Sequence, residues 1–316
     1  MVVKHDLPRL PIVIASSVIR SAHQGESHGG VYIIDMQAGA FDQVIDWNEA
    51  SINWEGRGAD RGLRGIAFHR NHVYLAASDE VFVYDQQFNL LESFRNSYLK
   101  HTHEIFIADD KLFLTSTGFD SVLVFNLATK TFDRGYCLRL NPTDQRLYFN
   151  VFDPNNESGP QWGDTIHLNS VYYDKGRLYV GCLAIPNLLC IAGNKLFPFA
   201  PIPQGSHNTR PFQEGVLLND TAAERVAYLD KGGSVLNSQP VISYRDDKLE
   251  MAHLPKDHAR QSFARGLCVS DKGWILGGSS PSTISAYRLD TPSALKTLNL
   301  TMDVRNSIHG LEIWPF

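Results

Sequence analysis

The sequence predicts an all-β fold, a six-bladed β-propeller of four-stranded antiparallel blades, and three observations carry that reading. Nearly every patterned segment alternates apolar with polar residues or is rich in β-branched and aromatic residues, with Gly, Asp, Asn and Pro between segments, and almost nothing reads as helix. One unit recurs, each time opened by a His or Arg ahead of a short apolar run: Arg64 (RGIAF), His103 (HEIFI), His167 (HLNSVYY), His207 (HNTRPF), Arg265 (RGLCV) and His309 (HGLEIW). The last of these units offers one strand and stops at Phe316, whereas the N-terminal region offers three strands that lack a first.

The cleanest unit runs from His103 to Phe132, and its turns at Asp109-Asp110, Thr117 to Asp120 and Ala128 to Lys130 divide it into four strands. Arg64 to Phe94 follows the same plan, with turns near Arg70-Asn71, Ser78-Asp79 and Gln86-Gln87. The unit from His167 has a hairpin signal at Asp174-Lys175-Gly176, and the unit from His207 ends on a Gly232-Gly233 turn. Arg265 opens a fifth unit with Asp271-Lys272-Gly273 in its first turn. Joining HGLEIWPF to LPIVIASSVIR, GGVYIIDM and FDQVIDW completes a sixth blade and leaves no open sheet edge. Residues 1–316 are therefore read as one domain, with blades starting near residues 64, 103, 167, 207 and 265 and a closing blade from residue 309 joined to 8–47.

Composition limits the partners. A formal charge of −5 without a Lys/Arg cluster argues against nucleic acid. No window of 18 apolar residues occurs and MVVKHDLPRL lacks the apolar core of a signal peptide, so no membrane partner and a cytoplasmic location are expected. Cys137, Cys182, Cys190 and Cys268 lie in apolar runs without zinc-knuckle spacing and read as small buried hydrophobes. Oligomeric state is left open.

In a propeller the first strand of each blade is innermost, so the six His/Arg positions converge on the mouth of one axial channel. Converging neutral imidazoles suit a divalent transition-metal cation, with Fe, Mn, Zn, Ni and Cu not distinguished, and His103, His167, His207 and His309 are the candidate ligands. Unequal spacing to the second strand leaves the rung of His101 against His103 open. Arg64 and Arg265 fork onto carboxylate or phosphate, which points to a small anionic molecule; internal ion pairs to Glu104, Asp60 or Glu312 are the plainer alternative. The turn from Ser21 to His28 joins two strands on the same face and makes His28 a candidate acid or base, beside Gln24 and Glu26. Two long connections, 134–165 and 241–262, reach that face as candidate lids or binding loops. Tyr172, Tyr173 and Trp162 read as core or pocket lining, and His69, His72, His253 and His258 as surface residues. The functional expectation is a metal-dependent enzyme acting on a small anionic molecule, with lyase, hydrolase and oxygenase chemistry all open. The competing expectation is a non-catalytic module that recognises a protein or a sugar, its His/Arg ring being structural.

With this architecture the chain resembles the six-bladed propeller superfamily of gluconolactonase and paraoxonase lactonases, strictosidine synthase and NHL-repeat binding proteins. More narrowly, SSVIRSAHQGESHGGVYIID, DRGLRGIAF, TGFDSVLVFNL and SFARGLCVS resemble an uncharacterised bacterial propeller family, which implies no activity. The lactonases hold calcium with Glu, Asn and Asp, whereas the matching positions here are mostly His and Arg, a donor set for a transition metal or an anion. Oligogalacturonate lyase and the carotenoid oxygenases, which hold manganese and iron through His on propeller folds, are similar only in site chemistry.

Overall fold

A computed structural model describes residues 7–23, 25–48, 62–256 and 259–316. Asp60, Gln24 and His258, singled out above, lie outside the described residues. Among those residues the chain forms six antiparallel sheets and only two short 3₁₀ turns, Thr117–Phe119 and Asp246–Lys248. The innermost strands, blade by blade, are Ile66–His69, Ile105–Ala108, Leu168–Asp174, Ser206–Phe212, Leu267–Val269 and, for the closing blade, Asn306–Ile313. The closing blade is composite as expected: Asn306–Ile313 pairs with Ile12–Ile19, which leads to Gly29–Asp35 and Ala40–Asp46.

Ring closure is visible in the packing. Among the described residues six apolar clusters are found, one at each blade-to-blade interface. Val81, Leu99, Leu114 and Leu123 join the first and second blades. Phe113, Val124, Leu168 and Val180 join the second and third, and Tyr179, Cys190, Val216 and Leu218 the third and fourth. Leu217, Val226, Leu267 and Tyr287 follow. Val13, Ile34, Trp274 and Leu276 then join the fifth blade to the closing one, and Ile14, Trp47, Leu63 and Leu75 join that blade back to the first. Each blade has an apolar face toward both neighbours, so opening the ring at any point would expose two such faces.

The second blade departs from the four-strand plan. Its outer strand runs on through Thr131–Leu140 and pairs with an added strand, Leu147–Phe152, to give five strands. Residues 134–140 and 147–152 of the 134–165 connection are therefore sheet rather than loop. Asp120 holds the rest in place: its fully buried carboxylate accepts hydrogen bonds from Thr165 N at 2.7 Å, Thr165 Oγ1 at 2.6 Å, Ile166 N at 3.2 Å and Arg139 Nη1 at 3.1 Å. Four donors on one carboxylate offset the cost of burying the charge.

The inner strands approach one another closely at their starts. A Cβ on Gly310 would lie 2.1 Å from Arg64 O, so only glycine lets the closing strand meet the first blade there. At the matching point of the fifth blade Gly266 has φ +77°, a left-handed turn that sets the direction of Arg265 beside it. Asn208, φ 50°, performs the same turn after His207.

Candidate functional site

Arg64, His103, His167, His207 and Arg265 sit at or just before the start of an inner strand, His309 lies within Asn306–Ile313, and local hydrogen bonds fix His103, His167 and His207. His103 Nδ1 lies 2.8 Å from the carbonyl of His101 and 2.8 Å from Thr117 Oγ1, while the Thr117 hydroxyl donates to Leu168 O at 2.6 Å. A carbonyl only accepts, so Nδ1 carries the proton and Nε2 presents a lone pair. That lone pair faces Arg64 Nη1 at 3.3 Å.

His207 repeats the device. Its Nδ1 is 2.9 Å from Thr221 Oγ1, and Thr221 donates onward to Ala264 O at 2.9 Å, so His207 also holds its proton on Nδ1. In both blades a threonine ties the imidazole to the backbone of the next blade. His167 uses a carboxylate instead: its Nδ1 is 3.0 Å from both oxygens of Asp164. The rung left open by the sequence is now fixed, because the His103 and His167 rings meet edge to face at 5.1 Å while His101 packs on Trp162 at 5.4 Å.

Burial pushes His103, His207 and His309 well below the usual imidazole value, and the positive charges around them push the same way. Arg64 and Arg265 act on His103, Arg265 leads the charges acting on His207, and Arg265, Arg64 and Arg20 act on His309. His167 is lowered less, because Asp164 pulls against its burial. All four rings are therefore neutral near pH 7. His207 Nε2, His309 Nε2 and Arg265 Nε are buried without a hydrogen-bond partner.

Among the described residues no group of three or more His, Cys, Asp or Glu side chains comes together to hold a metal ion. The physical reasons are that His103 Nε2 is committed to Arg64 and that guanidinium groups, repelling a cation, set the field around the imidazoles. His28 is buried, with its backbone paired to Ile19 and Trp47, and it is not among the groups that dominate the electrostatics of His103, His207, Arg265 or His309.

Arg20, Arg260 and Phe263, absent from the sequence-based site, complete it. Arg20, Arg260 and Arg265 all face the ring of Phe263, at 4.2, 5.0 and 4.6 Å from its centroid. The aromatic face supports the cations, and His207 reaches the same ring at 6.3 Å. Burial, then Arg64 and Arg260, pushes Arg20 down to about 10. Burial first, then Arg20, Arg64 and Arg260, pushes Arg265 down as well. Arg260 donates to Thr221 O at 3.0 Å and stands 3.9 Å from Glu224. Among the described residues no carboxylate pairs with Arg20 or Arg265, and neither Glu104 nor Glu312 forms the ion pair expected for Arg265. Arg20 lies in the turn before His23, Arg260 lies near the end of the 241–262 connection and Phe263 follows it, so no strand period marks them. That connection also walls a cavity of 570 Å³ that includes Arg260, Gln261 and Ser262.

Beneath the mouth the channel turns acidic. Glu104 accepts from Val171 N at 3.0 Å and Asn208 Nδ2 at 3.1 Å. Glu312 is pushed up to about 7, chiefly by burial, with Arg210 opposing the shift and Glu104 adding to it. Between His103, Glu104, Asn208, His309 and Glu312 lies a void of 10 Å³, about the space of one water.

The four cysteines are buried and free, and no helix among the described residues is long and apolar enough to cross a membrane. Tyr172 and Tyr173 pack on Phe106 and Phe113, each at 4.6 Å, between the second and third blades. No protein-family model and no curated protein matches the chain. Solved structures do: a protein of unknown function from Bacteroides caccae is similar over 97% of this chain and 100% of its own, with TM-score 0.55 and 11% identity. The C-terminal WD40 domain of Sif2 is similar over 94% of this chain and 90% of its own, with TM-score 0.50 and 9% identity. At such identities the likeness extends to the fold and no further. Six antiparallel sheets, six interfacial cores closed in a ring and these structural relatives make the chain a six-bladed β-propeller.

Proposed function

We propose that the protein binds a small organic anion in the axial mouth and takes a proton from it, with Arg20 and Arg265 holding the anion and His167 serving as the base. The observation that carries this reading is the convergence of Arg20 and Arg265 on Phe263 with no carboxylate among the described residues paired to either. Buried charge without a counter-charge is costly, and an anion from solution would remove that cost. Guanidinium forks suit a carboxylate or a phosphate.

His167 suits the second role. Its side chain is 30% exposed, the Asp164 carboxylate holds Nδ1–H, and Nε2 keeps a lone pair. A base held in one tautomer by a carboxylate can accept a proton at Nε2 while Asp164 stabilises the resulting imidazolium. Arg64, His103, His207 and His309 form the polar wall around that position. A resident metal has no part in this reading, for the reasons of ligand commitment and charge given above.

Thermal melts with inorganic phosphate and succinate test the first step. Both anions are expected to raise the melting temperature of the wild type, and the R20M/R265M pair to abolish the rise. An equal rise in wild type and double variant would sink the proposal.

A further inference from the structure

We infer that the anion taken by this site is hydroxylated, a carboxylate- or phosphate-headed polyol rather than a bare inorganic anion or an alkyl acid. This rests on the anion-binding reading above and adds the ligand's donor groups to it. His207 Nε2 is an acceptor, since the Thr221 to Ala264 chain fixes the proton on Nδ1. It is buried and has no partner. His309 Nε2 is a second buried ring nitrogen without a partner, and Arg265, a donor, acts electrostatically on both rings.

A deprotonated carboxylate or phosphate can satisfy Arg20 and Arg265 but has nothing to donate to an imidazole lone pair. An alkyl chain in the same place would leave His207 Nε2 dry and unbonded, the costly case for a buried acceptor. A hydroxyl next to the anionic head donates to Nε2 and accepts from guanidinium, so it completes both sets at once. A site built around a substrate hydroxyl rejects the analogue that lacks it much more strongly than an apolar pocket rejects an added group.

Isothermal calorimetry on the intact protein with two matched pairs reads this out. The first pair is gluconate against hexanoate, and the second is sorbitol 6-phosphate against hexyl phosphate, which separates carboxylate from phosphate heads. At least one polyol is expected to bind about 10-fold more tightly than its alkyl partner or better. In H207L that ratio is expected to fall to within about threefold; H309L supplies the same ratio should H207L fail to fold. Equal binding within a pair that binds, or a preference that survives both variants, overturns the hydroxyl inference and leaves the anion site standing. No binding of any of the four at about 10 mM overturns both.

Discussion

Replacing Glu312 by Gln probes the acidic floor of the channel. Glu312 is pushed up to about 7 from an ordinary 4.5, mainly because burial disfavours its charged form. Between those two values the folded state keeps a proton that the unfolded chain has released. The folded state therefore binds more protons, and stability falls as pH rises through that window. At about 1.36 kcal/mol per pH unit, and allowing for the partial ionisation of the unfolded chain at pH 5, the loss between pH 5 and pH 8 is roughly 2.5 kcal/mol. E312Q has no proton to lose there. Urea unfolding at pH 5, 6, 7 and 8 should show the stability of E312Q relative to wild type improving by that amount as pH rises and levelling off above pH 7. The buried imidazoles His103, His207 and His309 act in the opposite sense, withdrawing stability as pH falls below about 6.5. Both proteins carry them, so they cancel in the comparison. A difference that is flat between pH 5 and pH 8, or that shrinks with rising pH, would refute the argument.

Other consequences are testable one at a time. D120A leaves Arg139 and three further donors facing an empty site, so denaturant unfolding should show a loss of about 3–5 kcal/mol. G310A drives a Cβ into Arg64 O at the closing seam; a loss of about 3 kcal/mol in the same assay is expected. Removal of the Asp164 charge in D164N should lower the pKa of His167 further, because Asp164 is what opposes its burial, and NMR titration of its ring protons follows the shift. Protein purified without chelator should contain well under about 0.3 equivalents of any transition metal by elemental analysis, and a stoichiometric metal would restore the four-imidazole centre.

The fold was legible because a propeller writes its topology as a repeat. The split between HGLEIWPF and LPIVIASSVIR signals ring closure without any long-range information, since a lone strand at one end and a three-stranded remnant at the other fit only each other. Leu147–Phe152 was not legible. It lies beyond a polar NPTDQ stretch, has mostly half-exposed or exposed side chains, and is a strand only because Thr131–Leu140 runs long enough to offer an edge.

The site shows the same division. His103, His167, His207 and Arg265 announce themselves by recurring at the head of inner strands. Their chemistry is set by groups that recur less visibly, Thr117, Thr221 and Asp164, which fix the imidazole protons. Arg20, Arg260 and Phe263 carry no period at all. They meet only because closing the ring brings the turn after Ile12–Ile19 beside the connection into the fifth blade. Converging imidazoles pointed to a cation; Arg20 and Arg260, added to Arg64 and Arg265, reverse the sign of the field.

A crystal structure of the protein soaked in phosphate tests that reversal most directly. The account predicts phosphate density at the axial mouth, with oxygens about 3 Å from the guanidinium groups of Arg20 and Arg265. A mouth without an anion at saturating phosphate, or a protein carboxylate paired with Arg265 in its place, would contradict it.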